Sequence, residues 1–132
     1  MKTIQYLHPH ITVVKTKNKG RGVLANKNIP ANTVLEIAPV IVMKSTERKL
    51  LDLTLLHDYI FEWGNDKQKC CVALGYISLY NHAYQSNCEY EMNFKKQIIT
   101  VKTVKDVRAG EELCVNYNGD WNSNKKIWFD TK

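Results

Sequence analysis

Along the first forty residues, apolar and polar positions alternate in short runs separated by turn-forming residues. "ITVV" (11–14) and "VLA" (23–25) flank the polar stretch "KTKNKGRG", which predicts a hairpin. The run from Val34 to Met43 is mostly apolar but contains Pro39. Proline has no amide to donate, so the pattern predicts two strands meeting at a bend, with "IPANTVLE" as the turn into the first. Between Ser45 and Trp63 the period changes: Leu51, Leu55 and Tyr59 recur at spacing four, and Leu56, Ile60 and Trp63 at four and three. That predicts a single helix, capped by Ser45 or Thr46, with Glu47 in its first turn and Gly64-Asn65-Asp66 as its stop; the alternative is a break before Trp63. In "CEYEMNF", Cys88, Tyr90, Met92 and Phe94 alternate with Glu89, Glu91 and Asn93, the signature of a strand with one buried face. Lys95-Lys96-Gln97 predicts a hairpin into "IITVKTV", and Ala109-Gly110 a turn into "ELCVNY". The expected class is mainly β with one short helix.

Length and composition narrow the picture. At 132 residues the chain fits one domain with a real core, and two independent cores would not fit. No apolar run reaches membrane-span length, and "MKTIQYLHPHITVVKTK" holds no continuous signal-like segment, so the expectation is an intracellular protein away from membranes. Cys70, Cys71, Cys88 and Cys114 form no CxxC and read as reduced, partly buried thiols with no metal site. Residues 1–50 carry nine Lys/Arg against two Asp/Glu. These charges sit in turns without interleaved aromatics, so a solvated basic face is favoured over a base-stacking platform, and nucleic acid is not required as a partner.

Single motifs carry little. Gly20 and Gly22 in "KGRG" give a tight turn, or a backbone that a ligand can approach closely. Asn81-His82 before a strand can cap a turn or contact a cofactor. Tyr117, closing "CVNY", is by itself a core aromatic with its hydroxyl at the rim. The tail from Asn118 is polar but holds Trp121, Trp128 and Phe129, which predicts that it packs onto something.

The order of these pieces is more informative. "KGRGVLANKNIPANTVLE", then "ALGYISLYNHAYQSNCEYEM", then "VKDVRAGEELCVNYNGDW" resembles the SET domain of protein-lysine methyltransferases, over about residues 11–121, and the small single-domain viral and bacterial members most of all. Asn81-His82 and "AGEELCVNY" are the most specific pieces. The resemblance implies a single SET domain over residues 1–132, a β-clip fold of several small sheets in which a C-terminal segment makes a knot-like crossing near Asn81-His82. The tail, residues 122–132, would close the site.

The resemblance further implies S-adenosylmethionine as methyl donor, leaving S-adenosylhomocysteine, with no metal. Its methionine end needs acceptors, backbone donors and little bulk, which Gly20, Arg21 and Gly22 would supply, the Arg21 side chain reaching the carboxylate. Asn81 would bind the same cofactor, His82 would hold the crossing strands beside it, and Trp128, or Phe129 in its place, would stack on the adenine. Tyr117 matches the family's essential tyrosine and would orient the lysine nitrogen. Tyr59 would line the lysine channel. The transfer is a direct displacement by a neutral lysine, favoured by near-attack positioning. Its free pKa is about 10.4, which an apolar channel beside a sulfonium lowers.

Departures from the family pattern sharpen the expectation. Val115 stands two before the tyrosine where many members carry Phe or Tyr, which implies room for more than one methyl group. Ala83 replaces a more usual Ser, Tyr80 an aliphatic or Phe, and no cysteine-rich tail follows Tyr117. The substrate groove would therefore be completed by the apolar tail or by a second copy in a homodimer. The expected partner is a protein bearing a target lysine, histones included, in the cytoplasm or in a nucleus. Asp52, Asp58, Glu62 and Asp66 are expected to form a local acidic docking face. The rival readings are a catalytically silent SET-like module that binds peptide or chromatin, and a basic nucleic-acid-binding domain, whose binding would weaken with salt.

Overall fold

The computed structural model describes residues 3–117. Strands dominate. β1 (Tyr6–Leu7), β2 (Ile11–Lys15), β3 (Arg21–Ala25) and β4 (Val34–Met43) precede the helix α1 (Ser45–Leu51). β5 (Phe61–Trp63), β6 (Lys69–Ala73), β7 (Asn81–His82), β8 (Cys88–Asn93), β9 (Ile98–Thr103) and β10 (Glu112–Val115) follow. The larger sheet runs β5-β6-β4-β9-β8 with β1 added on β4, and the smaller runs β2-β3-β10-β7.

β4 organises the larger sheet, and it is one continuous strand. The bend expected at Pro39 is instead a change of partner. Val34 to Pro39 pair with β9, and Val40 to Met43 pair with β6. Pro39 needs no donor at this handover, where its carbonyl accepts from the Leu74 amide at 3.1 Å. The β8–β9 hairpin follows the alternation of its sequence: Cys88 pairs with Thr103 and Asn93 with Ile98. Gln97 takes φ 54° in the connection, and Asn93 Oδ1 accepts from the Lys96 amide at 2.9 Å.

The single helix expected over 45–63 is corrected. α1 ends at Leu51, a 3-10 turn spans Leu55–Asp58, and Phe61–Trp63 is a strand on β6. Thr54 is extended and its hydroxyl accepts from the Leu56 amide at 3.2 Å, restarting the chain as a tight turn. Pairing with Lys69–Cys71 then captures the far end as sheet. Leu50, Leu53 and Leu55 are 68, 86 and 77% exposed, so the helical spacing does not mark a core face. The helix N-cap is Lys44, one residue before the expected Ser45, and its amide donates to Glu47 Oε2 at 2.9 Å.

The core joins both sheets, with Val23, Leu35, Ile99, Val101 and Leu113 fully buried around Tyr80. The four cysteines are free and buried. β10 enters between β3, antiparallel to it, and β7, parallel to it, with Cys114 opposite Asn81 and Val115 opposite His82. Asn87 ties this C-terminal strand in place. Its Nδ2 donates to the Glu112 carbonyl and its Oδ1 accepts from the Cys114 amide, both at 2.9 Å. The chain thus delivers Tyr117 beside the Asn81-His82 segment. Among the described residues, no helix is long and apolar enough to cross a membrane.

Candidate active site

The glycine-containing turn between β2 and β3 forms one side of the site. Gly20 has φ 72°, a conformation that favours glycine. Thr16 Oγ1 locks the turn by donating to the Gly20 carbonyl at 2.8 Å and accepting from the Lys19 amide at 2.9 Å. Asn81 reaches across from β7: its Nδ2 donates to the Arg21 carbonyl at 3.1 Å and to Glu112 Oε2 at 2.6 Å. Gly22 makes this approach possible, because a Cβ there would lie 2.7 Å from Glu112 Oε2 and 2.9 Å from Asn81 Nδ2. Lys19 Nζ sits 3.7 Å from Glu112 Oε1.

Tyr117 closes the other side. Its amide donates to His82 Nδ1 at 3.0 Å and its hydroxyl donates to the Tyr80 carbonyl at 2.7 Å. An accepting Nδ1 assigns the ring proton of neutral His82 to Nε2, and the ring packs edge-on against Tyr84 at 4.4 Å. Burial pushes the Tyr117 phenol up and keeps it protonated. Tyr90, whose hydroxyl donates to the Tyr117 carbonyl at 3.3 Å, is likewise pushed up by burial, to about 12.

Two cavities meet here. One, about 350 Å³, is lined by Lys19, Gly20, Arg21, Leu79 and Asn81. The other, about 630 Å³, is lined by Phe61, Tyr90, Met92 and Phe94, with carboxylates Asp52, Asp58 and Glu62 also on its walls. Asp58, Tyr59, Ser78 and Tyr117 belong to both. Ser78 fixes this common wall by donating its hydroxyl to the Tyr59 carbonyl at 2.7 Å. Asp66 is not among the residues of either lining.

Of the residues singled out in the sequence, Gly20, Arg21, Asn81, Tyr59 and Tyr117 come together around these cavities. Gly22 contributes space beside Asn81, and His82 holds the Tyr117 backbone from outside both linings. Val115 is buried in the core opposite His82 and lines neither cavity. Trp128 and the tail at 122–132 lie outside the described residues. Sequence reasoning did not single out Glu112, Asn87 or Ser78. Glu112 stands within a quoted motif and could have been chosen from it, whereas nothing local to Asn87 or Ser78 marks their partners.

The smaller cavity suits a zwitterionic amino-acid end: two cationic side chains, Lys19 and Arg21, lie beside the backbone of Gly20 and Arg21, with little side-chain bulk between. Among the described residues, no three His, Cys, Asp or Glu side chains gather as metal ligands.

Two cavities joined at a wall of Asp58, Tyr59, Ser78 and Tyr117 form the candidate site, and comparison with known proteins gives its class. The SET domain family model matches residues 20–118. The chain belongs to the SET-domain family, an enzyme class. A histone-lysine N-methyltransferase of Schizosaccharomyces pombe, H3 lysine-37 specific, is 31% identical over 128 residues, covering 96% of this chain and 82% of the relative. An H3 lysine-36-specific histone-lysine N-methyltransferase of Cryptococcus neoformans is 31% identical over 121 residues, 86% of this chain but 14% of that much longer protein. A crystal structure from Plasmodium falciparum, described as a candidate histone methyltransferase, matches with TM-score 0.68 and 25% identity over 87% of this chain and 98% of its own.

Proposed function

We propose that this protein is an S-adenosylmethionine-dependent protein-lysine N-methyltransferase whose substrates include histones, acting on chromatin. The observation that carries the reading is the common wall: a smaller cavity beside a glycine turn and a larger, aromatic-lined cavity share Asp58, Tyr59, Ser78 and Tyr117. The relatives' names support a histone substrate and nuclear action.

When bound, S-adenosylmethionine supplies an electrophilic methyl group on a sulfonium. On this reading Gly20, Arg21 and Asn81 hold it, Gly22 keeps their approach clear, and the Arg21 and Lys19 side chains meet its carboxylate. Trp128, expected from the sequence to stack on its adenine, lies outside the described residues. Tyr59 and the aromatic residues of the larger cavity enclose the lysine stem, and their low polarity favours the neutral amine. Tyr117 orients that amine. Its proton is committed to the Tyr80 carbonyl, which leaves the phenol oxygen as an acceptor for an amine N–H and makes it a guide for the nitrogen, not a base. His82 fixes where the tyrosine stands.

The test is calorimetric titration with S-adenosylmethionine, followed by mass spectrometry of histone H3 incubated with both. The expected result is one-to-one binding lost in Asn81→Ala, and methyllysine absent with Tyr117→Phe. Cofactor binding without methyl transfer to any protein would favour a silent SET-like binding module.

A further inference from the structure

Glu36 is the ionisable side chain that this chemistry leaves without a task. It sits on β4, 0% exposed, and its register partners, Leu7 on β1 and Val101 on β9, are apolar. No cation pairs with it among the described residues. Its Oε2 accepts from the Tyr76 amide at 2.7 Å and its Oε1 from the Tyr80 hydroxyl at 3.3 Å. Gly75, at φ 96°, closes over the carboxylate so tightly that a Cβ would collide with Oε2. Residues 75–80 therefore wrap around one buried acid.

The same six residues build the site. Ser78 holds the Tyr59 carbonyl, and the Tyr80 carbonyl receives the Tyr117 hydroxyl. Burying a carboxylate without a countercharge is costly, and an amide or apolar side chain of similar size often leaves a fold more stable. An ionised carboxylate is acceptor-only and can take both donors at once. A protonated one turns an oxygen into a donor and accepts these two hydrogen bonds less strongly. We propose that Glu36 is a positioning residue for Tyr117: its carboxylate holds residues 75–80 from beneath, and Tyr80 passes that hold through its backbone carbonyl to the hydroxyl facing the amine.

Desolvation pushes the Glu36 carboxyl up to about 7, against the lowering effect of the Tyr76 amide and the Tyr80 hydroxyl. The titratable groups facing it are Tyr76 and Tyr80, with Cys88 of β8 next to Tyr80. Phenols and thiols ordinarily titrate above about pH 8, and burial moves Tyr80 and Cys88 higher. Glu36 is thus the member of this cluster that changes charge near neutrality. Its consequence for turnover rests on the methyltransferase reading, but the coupling to Tyr117 does not.

The experiment has two arms. In the first, the unliganded full chain is labelled with ring-carbon-13 tyrosine, the Tyr117 signal is assigned with Tyr117→Phe, and its shift is followed by NMR from about pH 5 to 9. A step centred near neutrality is expected, absent in Glu36→Gln and in Tyr80→Phe. No step, or one that survives both substitutions and so arises elsewhere, overturns the proposal. In the second arm, Glu36→Gln is expected to lower kcat on histone by about tenfold to a hundredfold, while its affinity for S-adenosylmethionine stays at the wild-type value. Undiminished kcat, or a kcat loss matched by the same loss of affinity, overturns it. Wild-type protein with no turnover at all would sink the methyltransferase reading and leave the NMR arm to decide the coupling.

Discussion

Gly22 shows how close the packing is beside the smaller cavity. The Asn81 amide, the Glu112 carboxylate and the Thr16 methyl converge on the space a side chain would take, so Gly22→Ala must push apart the 2.6 Å Asn81–Glu112 contact. The expected outcome is about tenfold weaker S-adenosylmethionine binding by calorimetry, or about 1.4 kcal/mol. Unchanged affinity would mean that this contact does not shape the cavity. Glu36 gives a second prediction, in stability. Its folded pKa, about 7, lies above the ordinary 4.5, so its contribution is fully present below about pH 4.5 and is lost as pH rises through 7. Glu36→Gln removes the titration. Urea melts should show the variant gaining on wild type between pH 5 and 8, by up to about 3 kcal/mol; a pH-independent difference would show that Glu36 does not titrate there. The Gly20 turn, Asn81 and Tyr117 were singled out in the sequence by the order of three segments that resembles the SET domain, since each motif alone carries little. The role of Glu36 was not, because its partners Tyr76 and Tyr80 are forty or more positions along the chain.

At the scale of elements, alternation was the reliable signal and helical spacing the misleading one. β8 and β9 pair as their period-two pattern requires, since a one-residue slip would turn Cys88 and Tyr90 to the wrong face. Over 45–63, spacing four arose from leucines in two different local structures, and sheet pairing of Phe61–Trp63 decided the rest. Exposed leucines make this testable. Leu53→Lys is expected to shift stability by no more than about 0.5 kcal/mol in denaturant melts. Had Leu53 belonged to the buried face of one long helix, the loss would be about 2 to 5 kcal/mol. The short strands β5, β6 and β7 left little trace in the sequence, because two to five residues are too few to show a period. Their existence depends on distant partners: β7 is a strand only because β10 lies parallel to it.

At the scale of the whole molecule, the β7–β10 pairing has a kinetic consequence. By bringing Tyr117 to the segment after Tyr80, it places one wall between two cavities instead of building a single pocket. The smaller cavity and the larger one can then fill independently, and the reacting groups meet across Asp58, Tyr59, Ser78 and Tyr117. The Tyr117 and Ser78 hydroxyls on that wall are not placed to carry the methyl group. The Tyr117 phenol is kept protonated by burial and bound to a carbonyl, Tyr59 presents its carbonyl to Ser78, and the Ser78 hydroxyl is spent on that contact. Cys114, the cysteine nearest in sequence to Tyr117, is pushed up to about 11 by burial and lines neither cavity, so a thiolate relay is disfavoured. Transfer should therefore need both substrates bound together. Initial rates measured against S-adenosylmethionine at several histone peptide concentrations are expected to give intersecting double-reciprocal lines. Parallel lines, with methyl label retained on the protein in the absence of peptide, would reveal a covalent relay and overturn the account of the shared wall.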